Sequence, residues 1–91
     1  MVKLHHIIVK GKVQGVFYRD YTQKKARSLG LKGSVRNRSD GSVEIYAQGN
    51  ESQLKELESW CWDGSPYSNV VNVIAQEEQD DQHFPDFRII F

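Results

Sequence analysis

Between Lys10 and Asp20 the sequence reads KGKVQGVFYRD, with Gly11 and Gly15 four apart and Arg19 near the end. This combination suits an anion. Glycine lets a backbone pass close to a ligand, or curl until successive N–H groups face one point. Arginine adds a planar fork that grips a phosphate through two hydrogen bonds. The stretch also lies in a basic block: residues 10–38 hold nine Lys or Arg against one acid, Asp20. Residues 39–91 hold eleven acids against Lys55 and Arg88, and the formal net charge is zero. Any attraction for an anion is therefore local. Spacing and charge alone also allow a tight turn with a surface arginine, flanked by solvated faces of differing sign.

The neighbouring elements decide where these groups go. The β-branched run HIIVKGKV predicts a strand ending near Gly11. A helix is expected over Arg19–Leu29, with Thr22, Ala26 and Leu29 inward, Lys24, Lys25 and Arg27 outward, and Gly30 as its stop. The loop Lys12–Tyr18 then leads into a helix N-terminus, where unpaired N–H groups and the helix dipole favour an anion. The following LKGSVRNRSDGSVEIYAQG reads as a hairpin. A two-residue Asp40-Gly41 turn would put its two apolar sets on opposite faces. A three-residue loop, Ser39-Asp40-Gly41 with Gly41 left-handed, pairs Val35 with Ile45 and Asn37 with Val43. Asn37 then faces the helix layer at a strand end, where it could reach the same cavity and hold a water.

Asn50 and Gln53 resemble a capping box for a second helix, with Leu54, Leu57 and Cys61 inward, Trp60 widening the stripe, and Gly64 and Pro66 ending it. NVVNVIAQ predicts a strand, EEQDDQ a solvated acidic loop, and FRIIF a terminal strand with Phe87, Ile89 and Phe91 on one side. The order β-α-β-β-α-β plus a short end strand is that of an α+β, ferredoxin-like sandwich. Two helices would cover one face of an antiparallel sheet and leave the other open to water. At 91 residues the chain is expected to form one domain, spanning 1–91.

The stretch GKVQGVFYR resembles the loop of the acylphosphatases, G-x-V-Q-G-V-x-F-R. ARSLGLKGSVRN, DGSVE and GSP are similar to that family at the same spacings, over almost the whole chain. The resemblance implies the ferredoxin-like sandwich reached above. It further implies hydrolysis of a carboxylic–phosphoric anhydride to carboxylate and phosphate, without a metal or cofactor. By resemblance, the backbone of Gln14, Gly15, Val16, Phe17, Tyr18 and Arg19 cradles the phosphate. The Arg19 guanidinium binds it, and Asn37 positions the attacking water. The chain departs from the family pattern at Tyr18 (commonly Phe), Ser34 (often aromatic) and Phe91 (often Tyr). Tyr18 brings a hydroxyl that needs a partner if buried.

The chemistry fits these few groups. The leaving carboxylate has a conjugate-acid pKa near ~4, so it departs without a proton, and donors around the phosphoryl oxygens carry most of the catalysis. Other candidates read as structure. His5 and His6 are adjacent on a strand, so they point to opposite faces and cannot share a metal. Cys61 reads as core and Trp62 as an exposed aromatic. The acids of 77–81 lack the spacing of a calcium loop. A non-catalytic anion- or RNA-binding ferredoxin-like module is the alternative. Tyr46 would lie on the open face, but VEIYAQG lacks the pattern of an RNA-recognition strand. The expected setting is a cytoplasmic monomer acting on a small molecule, with neither nucleic acid nor membrane as partner. A single cysteine, and an N-terminal apolar run too short for a signal peptide, underlie that expectation.

Overall fold

The structure, a computed structural model, describes residues 1–91. Its elements follow in the order β1 (Lys3–Lys12), α1 (Tyr18–Ser28), β2 (Lys32–Asn37), β3 (Val43–Gly49), α2 (Glu51–Asp63), β4 (Asn69–Glu78) and β5 (Phe87–Ile89). The sheet runs β4-β1-β3-β2-β5. All pairs are antiparallel except β2 with β5, which is parallel, so the sheet is mixed. This is the ferredoxin-like α+β sandwich. Ile7, Val9, Val35, Val43, Ile45 and Ala47 of the sheet join Tyr18 and Ala26 of α1 and Leu54, Leu57 and Cys61 of α2 in one buried cluster.

Local chemistry accounts for the element ends. The β2–β3 hairpin has the three-residue loop: Val35 pairs with Ile45 and Asn37 with Val43. Arg38 N–H donates to Ser42 O, and Gly41 takes a left-handed φ of 91°. The Ser42 hydroxyl, and then its N–H, donate to Asp40 and hold that carboxyl below its usual pKa. Helix α2 begins on a complete capping box between Asn50 and Gln53. Helix α1 starts one residue earlier than its periodicity suggests. Tyr18, Thr22 and Ala26 form its buried stripe, and Leu29 is only the C-cap.

Two expectations need correction. Glu77 and Glu78 are not loop residues: β4 continues through them, opposite His5 and Leu4. Lys3 lies 3.8 Å from Glu77, and His6 lies 3.8 Å from Glu78. Paired along a sheet edge, these acids cost the strand little. The second sheet face is also not fully open. The acidic segment after β4 folds across it, with Gln48 donating to Asp80 and to the Gln82 carbonyl. Phe84 stacks on Tyr46, and Leu4, which lies outside the helix-side cluster, is completely buried. His5 and His6 do point apart. His5 meets Glu58 of α2 at 2.6 Å, whereas His6 meets Glu44 at 2.8 Å and stacks on Tyr46.

Candidate active site

The segment between β1 and α1 carries an unusual run of dihedrals. φ is positive at Gly15 (74°), not at Val16, and positive again at Phe17 (64°). Alternation of this kind curls a backbone so that neighbouring N–H groups collect on its concave side. None of the N–H groups of Gln14, Gly15, Val16 or Phe17 is bonded to a backbone carbonyl. Those of Tyr18 and Arg19 open a helix and have no intrahelical acceptor by its geometry. Glycine supplies the left-handed conformation at 15 without strain, and a side chain added there would meet nothing within 4 Å. Gly11 serves a different purpose. A Cβ there would collide with the Asn69 carbonyl of β4, at the place where the β1–β4 register shifts. Its close approach is to a strand, not to an anion.

Three remote segments hold the curl in place. The Gln14 side-chain amide donates to Arg38 O at 2.8 Å and to Ser42 O at 2.9 Å, fastening the loop to the hairpin neck beside Asn37. The buried Ser65 hydroxyl donates to Val16 O at 2.7 Å. The Tyr18 hydroxyl donates to Cys61 O of α2 at 2.7 Å, so the extra oxygen does find a partner. Burial, and then Cys61, push the phenol pKa far up, keeping it neutral. Burial likewise raises the Cys61 thiol to about 12, which leaves it inert as a nucleophile. Replacing Gln14 with alanine removes two hydrogen bonds to carbonyls at the hairpin neck. The expected loss is about 1–3 kcal/mol of stability, together with reduced turnover. Urea midpoints and initial rates on one preparation check both.

Beside the loop lies a cavity of about 340 Å³ lined by Val13, Gly15, Phe17, Tyr18, Arg19, Asp20, Asn37, Ile89 and Phe91. Arg19 and Asn37, eighteen positions apart, come together here because α1 begins where β2 ends. Arg19 forms no ion pair with a protein carboxylate. Its guanidinium carbon lies 5.3 Å from the ring centre of Phe91, a cation–π contact. Asn37 shares the helix-side face with Val35, and its Oδ1 is buried with no hydrogen-bond partner within the protein. Buried oxygens are nearly always satisfied, so an orphan beside a cationic fork points to a ligand or a water.

The sequence-derived site residues therefore divide. Gly15, Phe17, Tyr18, Arg19 and Asn37 line one cavity. Gln14 and Val16 stand behind it: the first uses its side chain as a tether, and the second is buried with its carbonyl held by Ser65. The sequence assigned no role to Ser65 or to the Gln14 side chain, and placed Ile89 only on one side of the terminal strand. Side-chain ties to backbone carbonyls far along the chain leave no local signal. Phe91, read from the sequence as a departure from the family pattern and as one side of the terminal strand, reaches the cavity because β5 pairs Val35 with Ile89 in parallel. The same register carried two residues further sets Phe91 alongside Asn37.

The acylphosphatase family profile matches residues 5–89. An acylphosphatase of Marinobacter nauticus is 54% identical over 83 residues, covering 91% of this chain and 90% of that one. Among solved structures, the acylphosphatase of Coxiella burnetii is similar with a TM-score of 0.93 and 40% identity, over 98% of this chain and 93% of the other. That of Bacillus subtilis gives 0.94 and 37%, over 100% of both chains.

Proposed function

The chain belongs to the acylphosphatase family and hydrolyses acyl phosphates, and from that premise we propose that Arg19 and the Gln14–Arg19 backbone hold the phosphoryl group while Asn37 positions the water. The observation that carries this assignment is the orphaned, buried Asn37 Oδ1 in the cavity that also holds Arg19 and Gly15. An acceptor oxygen with no protein donor suits a water proton, and the water's lone pair is then free to face phosphorus.

The reaction follows from these groups. The phosphoryl oxygens accept from the N–H groups of the curl and from the Arg19 fork, which spreads their charge over fixed donors. Water, held through one hydrogen by Asn37, attacks phosphorus. The P–O bond to the acyl oxygen breaks, and its electron pair leaves on the carboxylate. With a leaving-group pKa near ~4, no acid is needed on that side. The water's proton passes to a phosphoryl oxygen. Cationic and dipolar charge from the protein takes the place a metal would otherwise occupy, and fixed positioning supplies the remainder. All of these groups lie on one chain, so a monomer suffices. The lone, buried Cys61 is compatible with a reducing cytoplasm.

Initial rates with acetyl phosphate test the reading. Excess chelator is expected to leave the rate unchanged, and inorganic phosphate is expected to inhibit competitively. A rate lost to chelator and restored by a divalent cation would overturn the metal-free assignment.

A further inference from the structure

Phe17 is the only non-glycine residue with positive φ. A bulky side chain holds that backbone only under strain, because its Cβ crowds the following carbonyl. Phe17 is 62% exposed and lies outside the buried cluster, so packing of its ring does not offset the strain. The compensating contact lies one peptide earlier. Ser65, fully buried, donates its hydroxyl to Val16 O at 2.7 Å. Ser65 is itself held in a short turn, where the Ser68 N–H and hydroxyl both donate to its carbonyl. That turn rests on Tyr18: a Cβ at Gly64 would come within 2.7 Å of the ring.

We propose that Ser65 is a positioning residue that aims the Phe17 N–H at the phosphate. This rests on the phosphate lying in the Gln14–Arg19 curl, as assigned above. In a trans peptide the C=O and N–H point in opposite directions, and the Val16–Phe17 bond is trans. A hydroxyl that grips Val16 O from the buried side therefore turns the Phe17 N–H outward, toward the cavity lined by Gly15, Phe17 and Arg19. That N–H has no backbone acceptor. Rotating this one peptide plane by half a turn would return Phe17 to negative φ and relieve its strain, just as type I and type II turns differ. The same rotation would present the Val16 oxygen to the anion. Without Ser65 the relaxed orientation wins, and a donor is exchanged for a repelling acceptor.

The test is a double-mutant comparison of Ser65→Ala and Phe17→Gly, read as the inhibition constant of inorganic phosphate against acetyl phosphate hydrolysis. Ser65→Ala alone is expected to raise that constant about tenfold and to lower kcat/KM at least as much. Glycine holds positive φ without strain, so in Phe17→Gly the same serine substitution should raise it about threefold or less. A merely structural serine would weaken phosphate by one common factor in both backgrounds. That outcome, or a change below about twofold in Ser65→Ala alone, overturns the proposal while leaving hydrolysis at Arg19 intact. Wild type supplies a second check should the serine variant unfold. Saturating phosphate is expected to shift the Phe17 amide in a proton–nitrogen correlation spectrum, and an unmoved amide overturns the assignment. Failure of phosphate to compete in wild type would instead overturn the phosphate seat, and the positioning role with it.

Discussion

Arg19→Ala is expected to lower kcat for acetyl phosphate by roughly 10²–10³, on the order of 3–4 kcal/mol of transition-state stabilisation. The guanidinium has no carboxylate to neutralise it and stacks on the face of Phe91, so its donors remain available to phosphoryl oxygens. Charge on those oxygens is redistributed as the anhydride breaks, and a fixed cation helps most there. The fold should lose little, about 0.5 kcal/mol or less, because Arg19 anchors no ion pair. Arg19→Lys separates charge from shape. Lysine restores the charge but not the planar fork, so it should recover only a small part of the rate. Steady-state kinetics alongside urea unfolding measure both effects. Near-wild-type turnover in the lysine variant would count against the role given to the fork.

Asn37→Ala should act differently. Turnover is expected to fall by about 10²-fold while the inhibition constant for phosphate stays within about threefold of wild type. Asn37 is assigned to the water and not to the phosphate, and loss of positioning alone is enough for a decrease of that size. Stability carries a second, opposite signature. The buried Oδ1 has no partner in the protein, so removing it should leave the fold unchanged or stabilise it by about 1 kcal/mol. A site that gains stability as it loses function is the expected mark of a group kept for chemistry. If the variant unfolds at lower urea and binds phosphate poorly, the assignment to the water fails.

Much of this arrangement is legible in the sequence where the signal is local. The period-two alternation either side of Asp40-Gly41 determines the hairpin register, and that register alone puts Asn37 on the helix side. The reciprocal bonds of Asn50 and Gln53 sit three residues apart and mark the start of α2. What escapes is non-local or runs against propensity. Glu77 and Glu78 look like loop residues by charge, but edge pairing with β1 outweighs that preference. The cover over the second sheet face comes from Phe84 meeting Tyr46, residues 38 positions apart with no shared pattern. Phe17 has a side chain that argues against a left-handed backbone, so nothing in its type announces the conformation. Arg19 could be read as an anion ligand. That Gln14 would grip the hairpin instead of the cavity could not.

The fastening of the Gln14–Tyr18 segment has a kinetic meaning. Its anchors are the hairpin neck at Arg38 and Ser42, the end of α2 at Cys61, and Ser65 beyond it. These anchors are spread over residues 14–65, so a partly folded species in which one of them has yet to dock is expected to be inert even when it already shows helix and sheet by circular dichroism. Recovery of hydrolysis after dilution from denaturant thus times the final docking of N-terminal loop, hairpin and second helix.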